Sequence, residues 1–311
     1  MQQHTDRLPD FFVVGAPRCG TTAISKYLSR NPHICFSRPK EPHFFSITLH
    51  ETPDADLHSD YLDLFFPHCS GDYQATGEGS VSYLYYPEAI RRIQQLNPQA
   101  RFIVMARNPV DMIHSYHARL LAILDEDVED FATAWGLQEA RARGEQLPAH
   151  CRTPYLLQYA EIARIGHQVE QLFQTAGREN CLVVLFDDFI TDTLGSYRQI
   201  LDFIKVDYDG QTEFSPLEAS KFYRYRWLHL LLKRPPMRVV KYTLNIEQRA
   251  RRKGKKKSRL KRLRKWLLRK NTVVRKRPPL DQAMRRQLHE TFATDIEKLG
   301  RLLDRDLSHW R

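Results

Sequence analysis

Phe11-Phe12-Val13-Val14-Gly15-Ala16-Pro17-Arg18-Cys19-Gly20-Thr21-Thr22-Ala23-Ile24-Ser25-Lys26-Tyr27-Leu28 places three local signals end to end. Phe11 to Val14 is a short continuous apolar run, the composition of a strand buried on both faces. Gly15 to Thr22 is a glycine-bounded loop, and Ala23 to Leu28 opens a helical pattern. A similar unit recurs at Arg101 to Arg107, an apolar strand ending in arginine. Asn108 then suits an N-cap and Pro109 the first helical position. Cys181 to Phe186 is a third apolar strand with helical patterns on either side. Strands alternating with helices predict an α/β fold with a mostly parallel central sheet flanked by helices. Helices are expected near Asp56–Phe66, Pro87–Leu96, Phe131–Arg143, Tyr155–Phe173, Leu194–Ile204 and Leu280–Leu303, and no internal repeat is apparent.

The 311 residues, 42% hydrophobic and 27% charged, fit a globular chain with a sizeable core. No apolar run approaches the roughly 20 residues that span a bilayer. The opening residues MQQHTDRLPD lack the basic-then-apolar plan of a secretory signal. Cys19, Cys35, Cys69, Cys151 and Cys181 are scattered without the close spacing of a zinc site or redox dithiol, so no metal is expected. A reducing, cytoplasmic setting follows as the default expectation. The net charge of +11 is local: residues 249–277 hold 17 Lys or Arg and no acid. The rest carries 31 basic against 37 acidic residues, a mildly acidic body. Pro235-Pro236 and Pro278-Pro279 bracket the basic stretch, which reads as an insert at about 235–279 in one 1–311 domain.

The loop decides the class of chemistry. Its spacing is Gly, four residues, Gly, Lys, then Ser or Thr, the phosphate-binding P-loop, but Thr21 stands where the lysine belongs. A nucleoside triphosphatase needs that ammonium on its phosphates, and a hydroxyl cannot replace it. Backbone N–H groups and the helix N-terminus still suit an anion. Thr21 and Thr22 add hydroxyl donors and Arg18 adds positive charge. The pattern predicts a phosphate cradle rebuilt for something other than triphosphate hydrolysis; an empty glycine-bounded turn is the plain alternative.

Four separated segments resemble the sulfotransferases that use 3′-phosphoadenosine 5′-phosphosulfate (PAPS). Pro17 to Thr22 resembles the family's 5′-phosphosulfate loop, and Arg107 to Tyr116 its 3′-phosphate segment. Lys40-Glu41-Pro42-His43-Phe44-Phe45 resembles the element that brings the base in glycosaminoglycan-type and many bacterial members, and Leu302 to Trp310 resembles the close of many bacterial ones. The resemblance covers Phe11 to about Asp207 and resumes near Leu280. It implies a P-loop-like sulfotransferase architecture with PAPS as sulfuryl donor and no metal. Arg18, Cys19, Gly20, Thr21, Thr22, Arg107 and Ser115 would hold the donor.

In an in-line displacement, Arg18 and Thr21 would stabilise the leaving 5′-phosphate electrostatically. Glu41 would remove the acceptor's proton, with His43 as helper or alternative base and Lys40 polarising the bridging oxygen. A surface Lys-Glu pair before a packed Phe-Phe is the plain alternative there, as an Arg107–Asp111 ion pair is for the 3′-phosphate site. Cys19 stands at a helix N-terminus, which lowers a thiol pKa, although the loop needs only a small residue there. Glu78 could equally line an acceptor pocket or be plainly structural; His33, His68, His114 and His117 read as structural. Ser220 to Arg226 resembles a basic loop over the 3′-phosphate, assigning Arg224 to the donor, but Tyr223 stands where members often have proline. Aromatics there could stack on the purine or simply pack.

The acceptor is expected to be a carbohydrate or glycolipid hydroxyl, with an amine or another small molecule behind it. In Ser258 to Leu268, apolar residues recur among cations at helical spacing. That basic amphipathic pattern suits an anionic membrane surface, a polyanionic acceptor, or plain solvation. The first would place the chain peripherally at the inner membrane surface. Nucleic acid is disfavoured, since no recognition motif accompanies the basic run. A kinase-type phosphotransferase is the rival enzyme, with Asp187-Asp188 as its nearest metal-binding match.

Overall fold

The computed structural model describes residues 8–47, 61–151, 153–214, 221–233, 259–274 and 278–310. Its five-stranded sheet is wholly parallel: Phe11–Gly15 (β1), Ile34–Phe36 (β2), Ala75–Gly79 (β3), Arg101–Ala106 (β4) and Cys181–Leu185 (β5), in the order β2-β3-β1-β4-β5. The α/β expectation holds. β1 and β4 are apolar because helices cover both faces of a parallel sheet.

β2 gave no sequence signal and β3 only a hint of a strand end. β3 reads Ala-Thr-Gly-Glu-Gly, a composition poor in strand formers. Packing explains it. Gly77 lies opposite Phe11 in the register, and a Cβ there would stand 2.1 Å from the Phe11 ring. The glycine is the room that a buried phenylalanine occupies at the centre of the sheet.

The helices match their patterns with local breaks. The stretch expected as one helix over Tyr155–Phe173 is divided into a 3₁₀ turn Pro154–Leu157 and helices Tyr159–Ala163 and Ile165–Ala176. The break falls at Arg164, whose ψ of 63° is not helical. Asp295 accepts the N–H groups of Gly166 and His167, both at 2.8 Å, so a carboxylate from another helix caps the new start. Phe131–Arg143 likewise splits at Leu137. The Asp56–Phe66 helix lies partly outside the described residues, which are helical over 61–65. Gln282–Leu303, capped by the Asp281 side chain, buries Met284, Leu288, Phe292, Ile296 and Leu299 and packs on Ile165–Ala176.

Cys35 in β2 and Cys69 form a disulfide, with Cα atoms 5.8 Å apart, a pairing that the cysteine spacing did not announce. His68 gathers with them, ligand-type atoms within 4.8 Å of one another. The two sulfurs are bonded to each other, and a disulfide sulfur is not the thiolate a metal takes.

Contacts divide the chain into two compact units: residues 1–116, 158–218 and 280–311, and residues 117–157 and 219–279. The first holds the five-stranded sheet. The second holds the antiparallel ribbon of Lys221–Tyr223 and Thr272–Val274 and the helices Arg226–Lys233 and Arg259–Asn271. It also buries an Arg141–Glu126 pair, bidentate at 2.6 and 2.9 Å. The described part of the expected 235–279 insert belongs to the second unit together with 117–157.

Gly77→Ala should lower stability by about 1–3 kcal/mol, the usual cost of forcing atoms into a packed core. Denaturant unfolding checks this; an unchanged midpoint would contradict the Phe11–Gly77 account.

Candidate active site

β1 and β4 are neighbours in the sheet but not in sequence, and their carboxyl ends bound the crevice where the strand order reverses. Ligands of open parallel sheets bind at such a point. Ala16 N–H donates to Met105 O at 2.8 Å, fixing the loop after β1 against the end of β4. Gly20, at φ 90°, turns the loop into helix Thr21–Leu28. That helix starts with no capping side chain and no acid in its first turn, which leaves its positive end suited to an anion. Thr22 is exposed at this end; Thr21 is buried.

Arg18 and Ser115, assigned from the sequence to opposite ends of one donor, touch: Arg18 Nε donates to Ser115 Oγ at 2.9 Å. Arg107 lies over the Phe186 ring, 4.7 Å from its centroid, a cation–π contact that orients the guanidinium. Its ion pair with Asp111 is present but loose, 3.9 Å with both partners part-exposed, and Asp111 also faces Arg285 at 3.4 Å. Such a pair contributes about 0–1 kcal/mol and leaves the Arg107 charge available. Cys19 fits the small loop residue that its position needs rather than a lowered thiol. Its thiol is fully buried, donates to Pro17 O at 3.4 Å, and is pushed up to about 12 by burial, against the smaller opposing pull of Arg107 and Arg18. Only its backbone belongs to the cradle.

The Lys40–Phe45 segment hangs from the end of β3. Glu41 N–H donates to Gly79 O at 3.0 Å, and His43 N–H to Ser80 Oγ at 2.9 Å. Ser80 Oγ in turn donates to Glu78, which also accepts from Tyr61 OH. His43 Nδ1 lies 2.7 Å from Ser82 Oγ, which is 2.7 Å from Ser46 Oγ. Phe44 and Phe45 plug into the core, where both rings contact Tyr61. Lys40 Nζ pairs with Glu41 at 2.5 Å, and His43 Nε2 lies 3.9 Å from the other Glu41 oxygen. Burial lowers the His43 pKa, with Glu41 opposing and Lys40 reinforcing, which favours the neutral ring. Arg18, Glu41 and His43 all adopt the left-handed backbone conformation, at φ 65°, 62° and 54°. Non-glycine residues rarely do so, and such strain gathers at functional sites.

Glu78 is structural. It is fully buried, closed off from solvent among the described residues; burial raises its carboxyl to about 7 despite the hydrogen bonds from Ser80, Tyr61 and Tyr83. Its work is to hold the Ser80 hydroxyl that holds the His43 N–H.

The C-terminal segment, which carried no assignable chemistry in the sequence, straps the site. Trp310 Nε1 donates to Asp187 at 2.6 Å, and Arg305 grips Asp188 through two bonds of 3.0 and 3.1 Å. Asn108 Nδ2, next to Arg107, donates to Trp310 O at 3.0 Å. The two aspartates a kinase would use on a metal are thus taken up by the strap. Arg224 lies in the second unit, exposed, its N–H bonded to Asn271 O at 2.8 Å. Tyr223 stacks on His229 at 3.4 Å, so this aromatic packs within its own unit.

The family described as "Sulfotransferase domain" matches residues 8–302. Among solved structures, a sulfotransferase from Alicyclobacillus acidocaldarius superposes with a TM-score of 0.67 at 26% identity, over 98% of this chain and 99% of that one. Human bifunctional heparan sulfate N-deacetylase/N-sulfotransferase 2 is 34% identical over 115 residues, 36% of this chain and 13% of that protein. Human carbohydrate sulfotransferase 15 is 27% identical over 190 residues, 48% of this chain and 33% of its own length. The chain therefore spans a minor part of these curated relatives.

Glu78 carries a pH signature. The folded state keeps its proton up to about pH 7, whereas the unfolded chain releases it near 4.5. This group's contribution is therefore fully present below about pH 4.5, and is lost as pH rises towards 7. Glu78→Gln should remove that slope, seen as denaturation midpoints that fall less than wild type's across the window. Superimposable profiles would contradict the buried neutral carboxyl.

Proposed function

Because the chain belongs to the sulfotransferase domain family, we propose that it moves a sulfuryl group from PAPS to a carbohydrate or glycolipid hydroxyl, with Glu41 as general base. The observation that carries this reading is an alignment of three strand ends. The Glu41 turn is pinned to the end of β3, the loop bearing Arg18 and Thr21 follows β1, and Arg107 follows β4. These are consecutive strands of the sheet, each about 4.8 Å from the next. The Glu41 turn, the loop of Arg18 and Thr21, and Arg107 therefore follow three neighbouring strand ends, which suits them to the roles of base, 5′-phosphosulfate cradle and 3′-phosphate contact.

The donor supplies an activated sulfuryl group on a 5′-phosphate leaving group. The chain's own residues do the rest. Loop N–H groups, the uncapped helix start and Arg18 offer fixed positive potential where charge grows on the leaving phosphate. Arg107, held flat on Phe186, gives the 3′-phosphate a charge-assisted partner. Ser115, bonded to Arg18, links the two ends. The Glu41 carboxylate takes the acceptor's proton, and Lys40 beside it holds it in place until then. Neutral His43 is the nearest relay for that proton. A carbohydrate acceptor is supported by the names of the relatives, which act on heparan sulfate and other carbohydrates.

Glu41→Gln should lower kcat for sulfuryl transfer from PAPS to a carbohydrate acceptor by about 10²–10⁴-fold, the range of general base catalysis. Binding of the product adenosine 3′,5′-bisphosphate should stay within about twofold, because Glu41 is not in the cradle. A variant that transfers at the wild-type rate would overturn the assignment of the base.

A further inference from the structure

The second unit carries a surface that this reaction does not use. Helix Arg259–Asn271 reads RLKRLRKWLLRKN, seven cations without an acid. At about 100° per residue, Leu260, Leu263, Trp266 and Leu267 fall within about one third of the circumference. Lys261, Arg262, Arg264, Lys265 and Arg269 fall elsewhere around the helix, with Arg259 and Lys270 at angles within the apolar arc but at the first and next-to-last residues of the helix. Leu263 is 52% exposed and Trp266 47%, and Arg264, Lys265, Arg269 and Lys270 are exposed beside them. Two more large apolar side chains stand out nearby in sequence and contact. Tyr225 is exposed, and its backbone is clamped to the helix's last residue: N–H to Asn271 Oδ1 at 2.8 Å and O to Asn271 Nδ2 at 2.9 Å. Leu231 is exposed on Arg226–Lys233, the helix that packs against this one.

We propose that helix Arg259–Asn271 docks the protein on an anionic lipid bilayer. Charge selects the sign of the partner, and the exposed leucine and tryptophan select its interior. A soluble polysaccharide matches the cations but offers no apolar phase to Leu263 and Trp266. A bilayer with anionic headgroups offers both, and tryptophan favours that boundary. Such a helix lies in the interface, cations at the headgroups and apolar arc at the acyl boundary.

The test is co-sedimentation of the full chain with phosphatidylcholine vesicles, with and without phosphatidylglycerol. Two double variants accompany wild type, Leu263→Ser/Trp266→Ser and Arg264→Gln/Lys265→Gln, with circular dichroism confirming the fold. The expected result is phosphatidylglycerol-dependent binding that fades with salt. The charge variant should lose about fivefold in partition per cation removed, and the apolar variant about tenfold or more. Three results would overturn the proposal: no binding at low salt, equal binding to pure phosphatidylcholine, or binding that the apolar variant leaves intact while soluble heparin competes for it. The last would assign the helix to a polyanion. Vesicle binding needs neither donor nor acceptor, so its failure leaves the proposed reaction untouched.

Discussion

Parallel pairing of β3, β1 and β4 forces their carboxyl ends onto one edge of the sheet, and the candidate groups of the first unit hang from that edge. The pairing depends on the close approach of β3 to β1, where Gly77 leaves the space that the Phe11 ring fills. A larger residue at Gly77 would push the two strands apart, and with them the Glu41 turn and the loop after β1. Core packing and site geometry are therefore one constraint here.

The edge is held by polar ties that converge from several parts of the chain. Gly79 O and Ser80 Oγ grip the turn that carries Glu41 and His43, and the buried Glu78, between two tyrosines, grips Ser80. On the other side the C-terminal segment ties Asn108 to the helix that bears Phe186, the ring beneath Arg107. Backbone strain at Arg18, Glu41 and His43 persists because these ties over-determine the conformation.

Much of this was legible in the sequence, since β1, its loop, β4 and Arg107 rest on local signals: apolar runs, glycines, an Asn-Pro helix start. Glu41 was reached only through resemblance, as a Lys-Glu pair before two phenylalanines has no local signature of catalysis. What stayed hidden is non-local. β3 is a strand because of what packs against it; Glu78 stayed open between pocket and structural residue because nothing local says that tyrosines close over it. For Cys19 the helix position pointed to a lowered thiol and the loop's need for a small residue to a plain one; burial outweighs the two arginines beside it, in keeping with the plain one. The Cys35–Cys69 disulfide joins residues 34 apart in sequence, and the role of Trp310 depends on an aspartate 123 residues away. No spacing rule reaches that far.

The proposed donor cradle at the β1 and β4 ends would take a 3′,5′-bisphosphorylated adenosine rather than a triphosphate. Calorimetric titration with adenosine 3′,5′-bisphosphate, set against ATP with magnesium and repeated on Arg107→Ala, tests it most directly. The expected result is saturable binding of the bisphosphate, weakened about tenfold or more in the variant by loss of a charge-assisted contact, and no comparable binding of ATP. Equal binding of ATP, or bisphosphate binding indifferent to Arg107, would contradict it.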